Sequence, residues 1–406
     1  MSIKLLVAAA VAVCVFSVGM AQGPERGQGA SMGSRQGGGA APGTPFPGGR
    51  MNADGSLLPA PVSSALFTQE AYTQYEILAP GTEQFAITYM LESTRAGATT
   101  ITNATRPGSE GTDVSVFDPR TGQPVTFTYG EQPNGEHAIV ATLPAPIPEG
   151  GIGRVLIYKT YKDARTYQVH GDDLVWVRSL AGYRLGVLLP KGYAFTSANI
   201  AAQMSTTADG RLKLSFASPS GGSNNLTIHA HKTSAIMAPR AYTDMFADDI
   251  KTLYTLEAPE TGKIDVEQTY SDTRKGATAT IDALGYMALT DLKIIDLDTA
   301  RTLAPRKNGT VTSVTLGVPI TNDKQSAHLR VTGVIADGSY KMGNGELVFS
   351  RTLKGLRNTV VLPAGWDVTA VSQSATIGRT RDGKAFVALV NLNSENSYRV
   401  TIRARK

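Results

Sequence analysis

Cysteine is almost missing from this chain: Cys14 is the single one in 406 residues. It lies within an N-terminal stretch that reads as a secretory signal. Lys4 supplies the positive start, and Leu5 to Val18 forms an apolar run of fourteen residues. Gly19-Met20-Ala21 places small residues where a signal peptidase needs them, so cleavage is expected after Ala21. That cut removes Cys14, and Val13 before it is larger than a lipoprotein signal favours. The mature chain is then expected to have no disulfide and no thiolate ligand or nucleophile. An exported chain of this kind rests on its packed core.

Other absences narrow the function. No second apolar run approaches membrane length, so no transmembrane span is expected in the mature chain. The net charge is only +5, and basic residues are scattered among acidic ones. Aromatic residues make up 7% and do not cluster with the basic ones, which argues against nucleic acid as a partner. There is no His-Glu-x-x-His, no Walker loop and no complete Gly-x-Gly-x-x-Gly. One Gly-x-Ser-x-Gly match, Gly29-Ala30-Ser31-Met32-Gly33, lacks the strand and helix that a nucleophile elbow needs. Asp172-Asp173 and Asp248-Asp249 are adjacent pairs whose side chains diverge, which makes each a poor acid–base dyad. No cofactor is implied.

What is present is repetition. Residues 175–210 align without a gap on 348–383, and fourteen of the thirty-six positions are identical. Composition alone would give about two or three. Upstream, Tyr75 and Ala79-Pro80 match Tyr254 and Ala258-Pro259, Asp118 and Thr121 match Asp296 and Thr299, and Asp163 and Tyr167 match Asp337 and Tyr340. The expected organisation is a signal over 1–21, a disordered Gly/Pro-rich tether over 22–63, and two repeats over 64–236 and 240–406. The tether has few large apolar side chains with which to offset its ordering entropy.

The repeats read as strands. Phe85, Ile87 and Tyr89 alternate, as do Leu212, Leu214 and Phe216, while Val155 to Tyr158 is a continuous apolar run. Turn signals every eight to twelve residues favour an all-β fold of tandem duplicated β-sandwich units. Short linking helices are expected at each start, because Tyr242, Phe246, Ile250 and Leu253 fall at helical spacing after Pro239. Ala65 to Leu78 is the counterpart in the first repeat. Two turns recur. Leu189-Pro190-Lys191-Gly192 and Leu362-Pro363-Ala364-Gly365 fit a β-turn with Pro second and Gly fourth. Asp209-Gly210 and Asp382-Gly383 fit a two-residue type I′ hairpin.

Three constellations carry possible chemistry. On a strand, His229 and His231 point the same way, about 7 Å apart, and suit a shared Zn²⁺ or Cu²⁺ if a third ligand arrives. The second repeat has Arg403 and Arg405 at those places, which argues for a polar outer face instead. Tyr193 and Trp366 are equivalent and offer an aromatic platform for a glycan, or else packing beside a turn. Arg178 with Arg351, and Arg184 with Arg357, are retained in both repeats. They suit a carboxylate or phosphate ligand, or cross-strand pairing with Asp173 and Glu346.

The secretory signal, the tether, Leu189-Pro190-Lys191-Gly192-Tyr193, Leu362-Pro363-Ala364-Gly365-Trp366 and the two Asp-Gly turns together resemble uncharacterised secreted bacterial tandem β-sandwich repeat proteins. The chain also somewhat resembles the β-domains that accompany secreted metallopeptidases, although their metal motif is missing. The resemblance implies an all-β fold over most of 64–406 and transfers no catalytic residue. Three readings follow: a non-enzymatic exported binding or structural module, a carbohydrate-binding protein, and a metal-dependent enzyme or metal carrier using His229 and His231. The expected location is periplasmic or secreted, with an envelope protein or glycan as partner.

Overall fold

The computed structural model describes residues 50–51, 57–58, 68–133, 135–180, 182–217, 224–234, 250–281, 289–308, 311–392 and 397–406. The signal, most of the tether, Asp248-Asp249 and the Gly29–Gly33 match lie outside them. The described residues are all-β, with one turn of 3₁₀ helix at Pro259–Thr261. Among them, no helix is long and apolar enough to cross a membrane.

The first half builds three sheets. The largest has the order 203–206, 212–217, 184–188, 68–77, 84–93, 153–162, 110–117. A four-stranded sheet runs 167–170, 173–180, 224–232, 193–198, and a three-stranded one runs 100–104, 137–142, 127–131. The second half has the order 376–379, 385–390, 357–361, 251–256, 264–272, 327–335, 290–296, with 301–303 added at the end. Its smaller sheets run 340–343, 346–354, 397–405, 367–371 and 279–281, 311–315, 306–308. The strand orders of the two halves therefore correspond. In the large sheets almost all pairs are antiparallel. The exception in each half joins equivalent residues: Tyr75 opposite Val187, and Tyr254 opposite Val360, both in parallel pairs.

Each half has its own core between its large and four-stranded sheets. The first gathers Tyr75, Phe85, Ile157, Trp176, Val187 and Ile228, and the second Tyr254, Ile264, Val331, Phe349, Val360 and Ile402. Period-two burial explains why these segments are strands. Thr252, Tyr254 and Leu256 are buried while Lys251, Leu253 and Thr255 are not, so one face of the strand seals the core. The expected helix over 242–253 is therefore replaced by the strand Lys251–Leu256 in its described part. Residues 68–77 are likewise a strand, with Ala71, Tyr75 and Ile77 buried. The helical spacing of Ile250 and Leu253 loses to pairing on both sides, with 264–272 and 357–361.

The Asp-Gly hairpins are present with a different turn. The N–H of Gly210 donates to Thr207 O at 2.9 Å, and that of Gly383 to Thr380 O at 3.0 Å. Only the glycine of each pair has positive φ, 82° and 81°. This is a three-residue type I loop closed by a left-handed glycine, not a type I′ turn. Bulges recur as well. Asp113 and Asp291, both at positive φ, sit where the pairing shifts between Thr112 and Ser115 and between Thr290 and Lys293.

The halves meet through equivalent positions. Ile152 and Ser326 each precede a strand by one residue, and Leu297 and Pro119 each follow the repeated Asp296 and Asp118. Ile152 N–H donates to Leu297 O at 2.8 Å, and Ser326 N–H donates to Pro119 O at 2.7 Å. The contact is thus self-complementary, as between the subunits of a two-fold dimer. Arg154, 4% exposed, crosses this seam. It donates to both carboxylate oxygens of Asp298 at 2.6 and 2.5 Å, to Ser326 Oγ at 2.7 Å and to Ser326 O at 2.9 Å. Burial opposes its charge, but Asp298 outweighs that and raises the Arg154 pKa. The equivalent position in the second half holds His328, whose ring faces Glu92 of the first half at 3.8 Å.

Candidate functional site

One end of the first half opens into a cleft of about 490 Å³. Three loops converge there. The loop after strand 68–77 brings Pro80 and Gly81, and the hairpin between 167–170 and 173–180 brings Gly171. The Pro190 turn brings Lys191, Gly192 and Tyr193, and the last strand ends at Lys232. Gly192 has φ 82°, and its counterpart Gly365 has 78°, so the turn needs glycine for its backbone. The Pro190 turn is tied to the last strand: Thr233 N–H donates to Gly192 O at 2.8 Å. Lys232 N–H donates to Asp172 O, also at 2.8 Å. These bonds hold Lys191 and Lys232 on the cleft wall, and among the described residues neither ammonium group has an ion-pair partner.

Tyr193 forms the cleft's inner wall and is 6% exposed. Burial, and then Asp172, push its pKa up, so it stays a neutral hydroxyl at physiological pH. Tyr167 lies deeper and donates to Leu78 O at 3.1 Å; burial, and then Tyr193, raise its pKa too. The same end of the second half is built differently. Ala364 replaces Lys191, Trp366 replaces Tyr193, and Lys406 lies 5.8 Å from the Trp366 ring centre. Trp366 is also 6% exposed. Neither ring is therefore a platform for a glycan to stack on, which corrects that expectation: both close the end of a core.

The arginines also depart from expectation. Arg178 does not pair with Asp173, nor Arg351 with Glu346. Strand alternation turns Arg178 and Arg351 inward, so they are 3% and 7% exposed. Arg178 stacks on Phe85, Tyr75 and Tyr161, with 5.1, 5.2 and 5.5 Å to the ring centres. Arg351 pairs with Asp337 and donates to Ser339 Oγ at 3.0 Å. Arg184 lies 5.2 Å from the Tyr72 ring centre, and Arg357 reaches Tyr183 of the other half at 4.9 Å. These four are spread through the molecule and do not converge on one ligand.

His229 and His231 are exposed on the outer face of the four-stranded sheet. His231 Nδ1 lies 3.0 Å from Asp173 Oδ1, its cross-strand partner. Among the described residues, no group of three His, Cys, Asp or Glu side chains gathers to hold a metal. In the second half Arg403 and Arg405 both reach Glu346, at 2.9 and 2.8 Å. The position is polar in both halves, with a His–carboxylate contact in the first and Arg–Glu ion pairs in the second.

Compared with known proteins, the chain matches no protein-family model and no curated relative.

Several aspartates give the fold an acid limit. Burial alone would raise the carboxyls of Asp163, Asp272 and Asp337, but hydrogen bonds outweigh it and lower all three pKa values. Thr166 leads for Asp163, Arg274 for Asp272 and Ser339 for Asp337. A carboxyl lowered by folding contributes stability above its unfolded value, about 3.9, and loses it as pH falls through the folded value. The melting midpoint is expected to hold from pH 7 to 5 and to fall steadily below about pH 4. Asp337→Asn should weaken that acid-side slope, which thermal melts across pH would measure.

Proposed function

We propose that this chain is a non-enzymatic binding module of the cell envelope, exported and then released from its signal, and built by duplication of one β-sandwich unit. Its ligand is anionic and is held at the end of the first half. The observation that carries this reading is the cleft with Lys191 and Lys232 on its wall and a neutral Tyr193 hydroxyl behind them. Two ammonium groups without ion-pair partners among the described residues suit a carboxylate or phosphate ester, and Tyr193 closes the core beneath them without adding a further charge. The replacement of Lys191 by Ala364 in the second half leaves the lysine pair to one half, as expected of a ligand site laid over a shared scaffold.

The test is titration calorimetry of the mature chain with acidic glycans and acidic peptides, polygalacturonate first, and with neutral dextran as control. Binding to an anionic polymer is expected to weaken at least tenfold, about 1.4 kcal/mol, in Lys191→Ala/Lys232→Ala. It should also weaken with added salt, because the cleft is open and exposed charges are screened. Equal binding of dextran, no anionic binder at all, or an unchanged affinity in the double variant would sink the proposal.

A further inference from the structure

Around Tyr161 the first half buries more positive charge than it neutralises. Lys159 lies 4.7 Å from that ring's centre and Arg178 5.5 Å, while the backbone N–H of Arg106 donates to the phenolic oxygen at 3.4 Å. Lys159 is satisfied by Asn103 Oδ1 at 2.6 Å. Tyr75 accepts one hydrogen bond from Arg178, but each of the two arginines keeps one nitrogen over. Nη1 of Arg178 and Nη1 of Arg106 are both buried, and neither has a hydrogen-bond partner among the described residues. Burial, and next the charge of Arg178, hold the Arg106 pKa below its ordinary value, so the two guanidinium groups repel one another.

The carboxylate that acts on Arg106, Asp163, is already engaged. Asp163 Oδ2 accepts from Ser109 and Thr166, at 3.2 and 3.1 Å. Its Oδ1 accepts from Arg165 N at 3.0 Å and Nε at 3.4 Å. In the second half the equivalent Asp337 pairs with Arg351, the counterpart of Arg178. The difference is one residue of loop. Asp337-Gly338-Ser339 leads directly into Tyr340, whereas Asp163-Ala164-Arg165-Thr166 precedes Tyr167. The extra length carries Arg165, which takes the carboxylate. Arg165 also pins the turn that presents Arg106: its Nη2 donates to Pro107 O at 3.2 Å. A Cβ on Gly108 would lie 2.6 Å from that same Nη2, and Gly108 has φ 79°. These contacts fix the turn that carries Arg106, whose backbone and whose neighbour Arg178 both lie at Tyr161.

Buried polar groups are rarely left without a partner, and buried cations less often still. We propose that a small anion, of halide or phosphate size, bridges Nη1 of Arg106 and Nη1 of Arg178. It takes the place that Asp337 fills in the second half. Arg106 is only half-buried, so the anion enters past its side chain. This site is separate from the cleft, and neither depends on the other.

The mature chain, crystallised in bromide, is expected to show an anomalous peak between the two guanidinium groups. In solution, chloride or phosphate replacing gluconate at fixed ionic strength should raise the melting midpoint along a saturating curve. The more effective of the two identifies the anion. Arg106→Gln, a change at a half-exposed position, should abolish the saturating part. No bromide peak at this position overturns the assignment, and so does an equal response to the salts in Arg106→Gln.

Discussion

Asp298→Ala is expected to destabilise the chain by about 3–5 kcal/mol, the cost of leaving a buried charge without its partner. The charge is that of Arg154, whose side chain is 1% exposed and whose carboxylate partner is 9% exposed. In this variant Arg154 keeps hydrogen bonds to the hydroxyl and carbonyl of Ser326, two neutral acceptors, and the weaker pull of Glu92 and Asp118. Arg154→Met in the Asp298→Ala background should recover at least half of the loss, because replacing both partners by apolar groups removes the unpaired charge. Both single variants and the double variant, measured by urea unfolding, form the cycle that separates the two effects. A loss below about 1 kcal/mol in Asp298→Ala would mean that the seam is held by Ile152–Leu297 and Ser326–Pro119 alone.

The scaffold was legible in the sequence wherever a face alternates. Tyr75, Tyr254, Val187 and Val360 align by sequence, and each Tyr lies opposite the Val of its own half. Trp176 opposite Ile228 and Phe349 opposite Ile402 recur in the same manner. In its described part the expected helix gives way to a strand, because the helical spacing of Ile250 and Leu253 carries less weight than the Thr252, Tyr254, Leu256 face, which pairs on both sides. The bulges also carry a signal in the sequence: Thr112-Asp113 and Thr290-Asp291 share the spacing of Asp118 and Asp296. The sites were less legible. Arg154 and Asp298 are 144 residues apart, and the counterpart of Arg154 is a histidine, so no repeated pattern marks the seam. The cleft is assembled from three loops, and although the Pro190 turn and Ala79-Pro80 recur in the repeats, nothing in the sequence brings them together. The fates of Arg178 and Arg351 diverge through one residue of loop length, which no alignment of side-chain types reveals.

The other large effect separates what both cores need from what one core has added. Trp176→Ala is expected to cost about 3–5 kcal/mol, the usual range for emptying a buried aromatic site. Trp176 is 0% exposed, and its ring centre lies 5.2 Å from that of Tyr75 and 6.2 Å from that of Phe85. Phe349→Ala should cost a similar amount, since Phe349 is also 0% exposed and packs at 5.9 Å on Tyr254. Trp176→Phe makes the first core like the second. It loses contact area, yet it also removes an indole Nε1 that is buried without a hydrogen-bond partner among the described residues. These two terms oppose each other, so the net change is expected to stay within about 1.5 kcal/mol. Phe349→Trp is not its mirror image. It forces extra volume into a closed core and buries a new N–H, at a cost of about 1–3 kcal/mol from packing alone. Thermal and urea unfolding of the four variants would test the ordering. A Trp176→Phe loss as large as that of Trp176→Ala would mean that the indole makes an interaction specific to the first half. The correspondence of the two cores would then extend to strand order and not to packing.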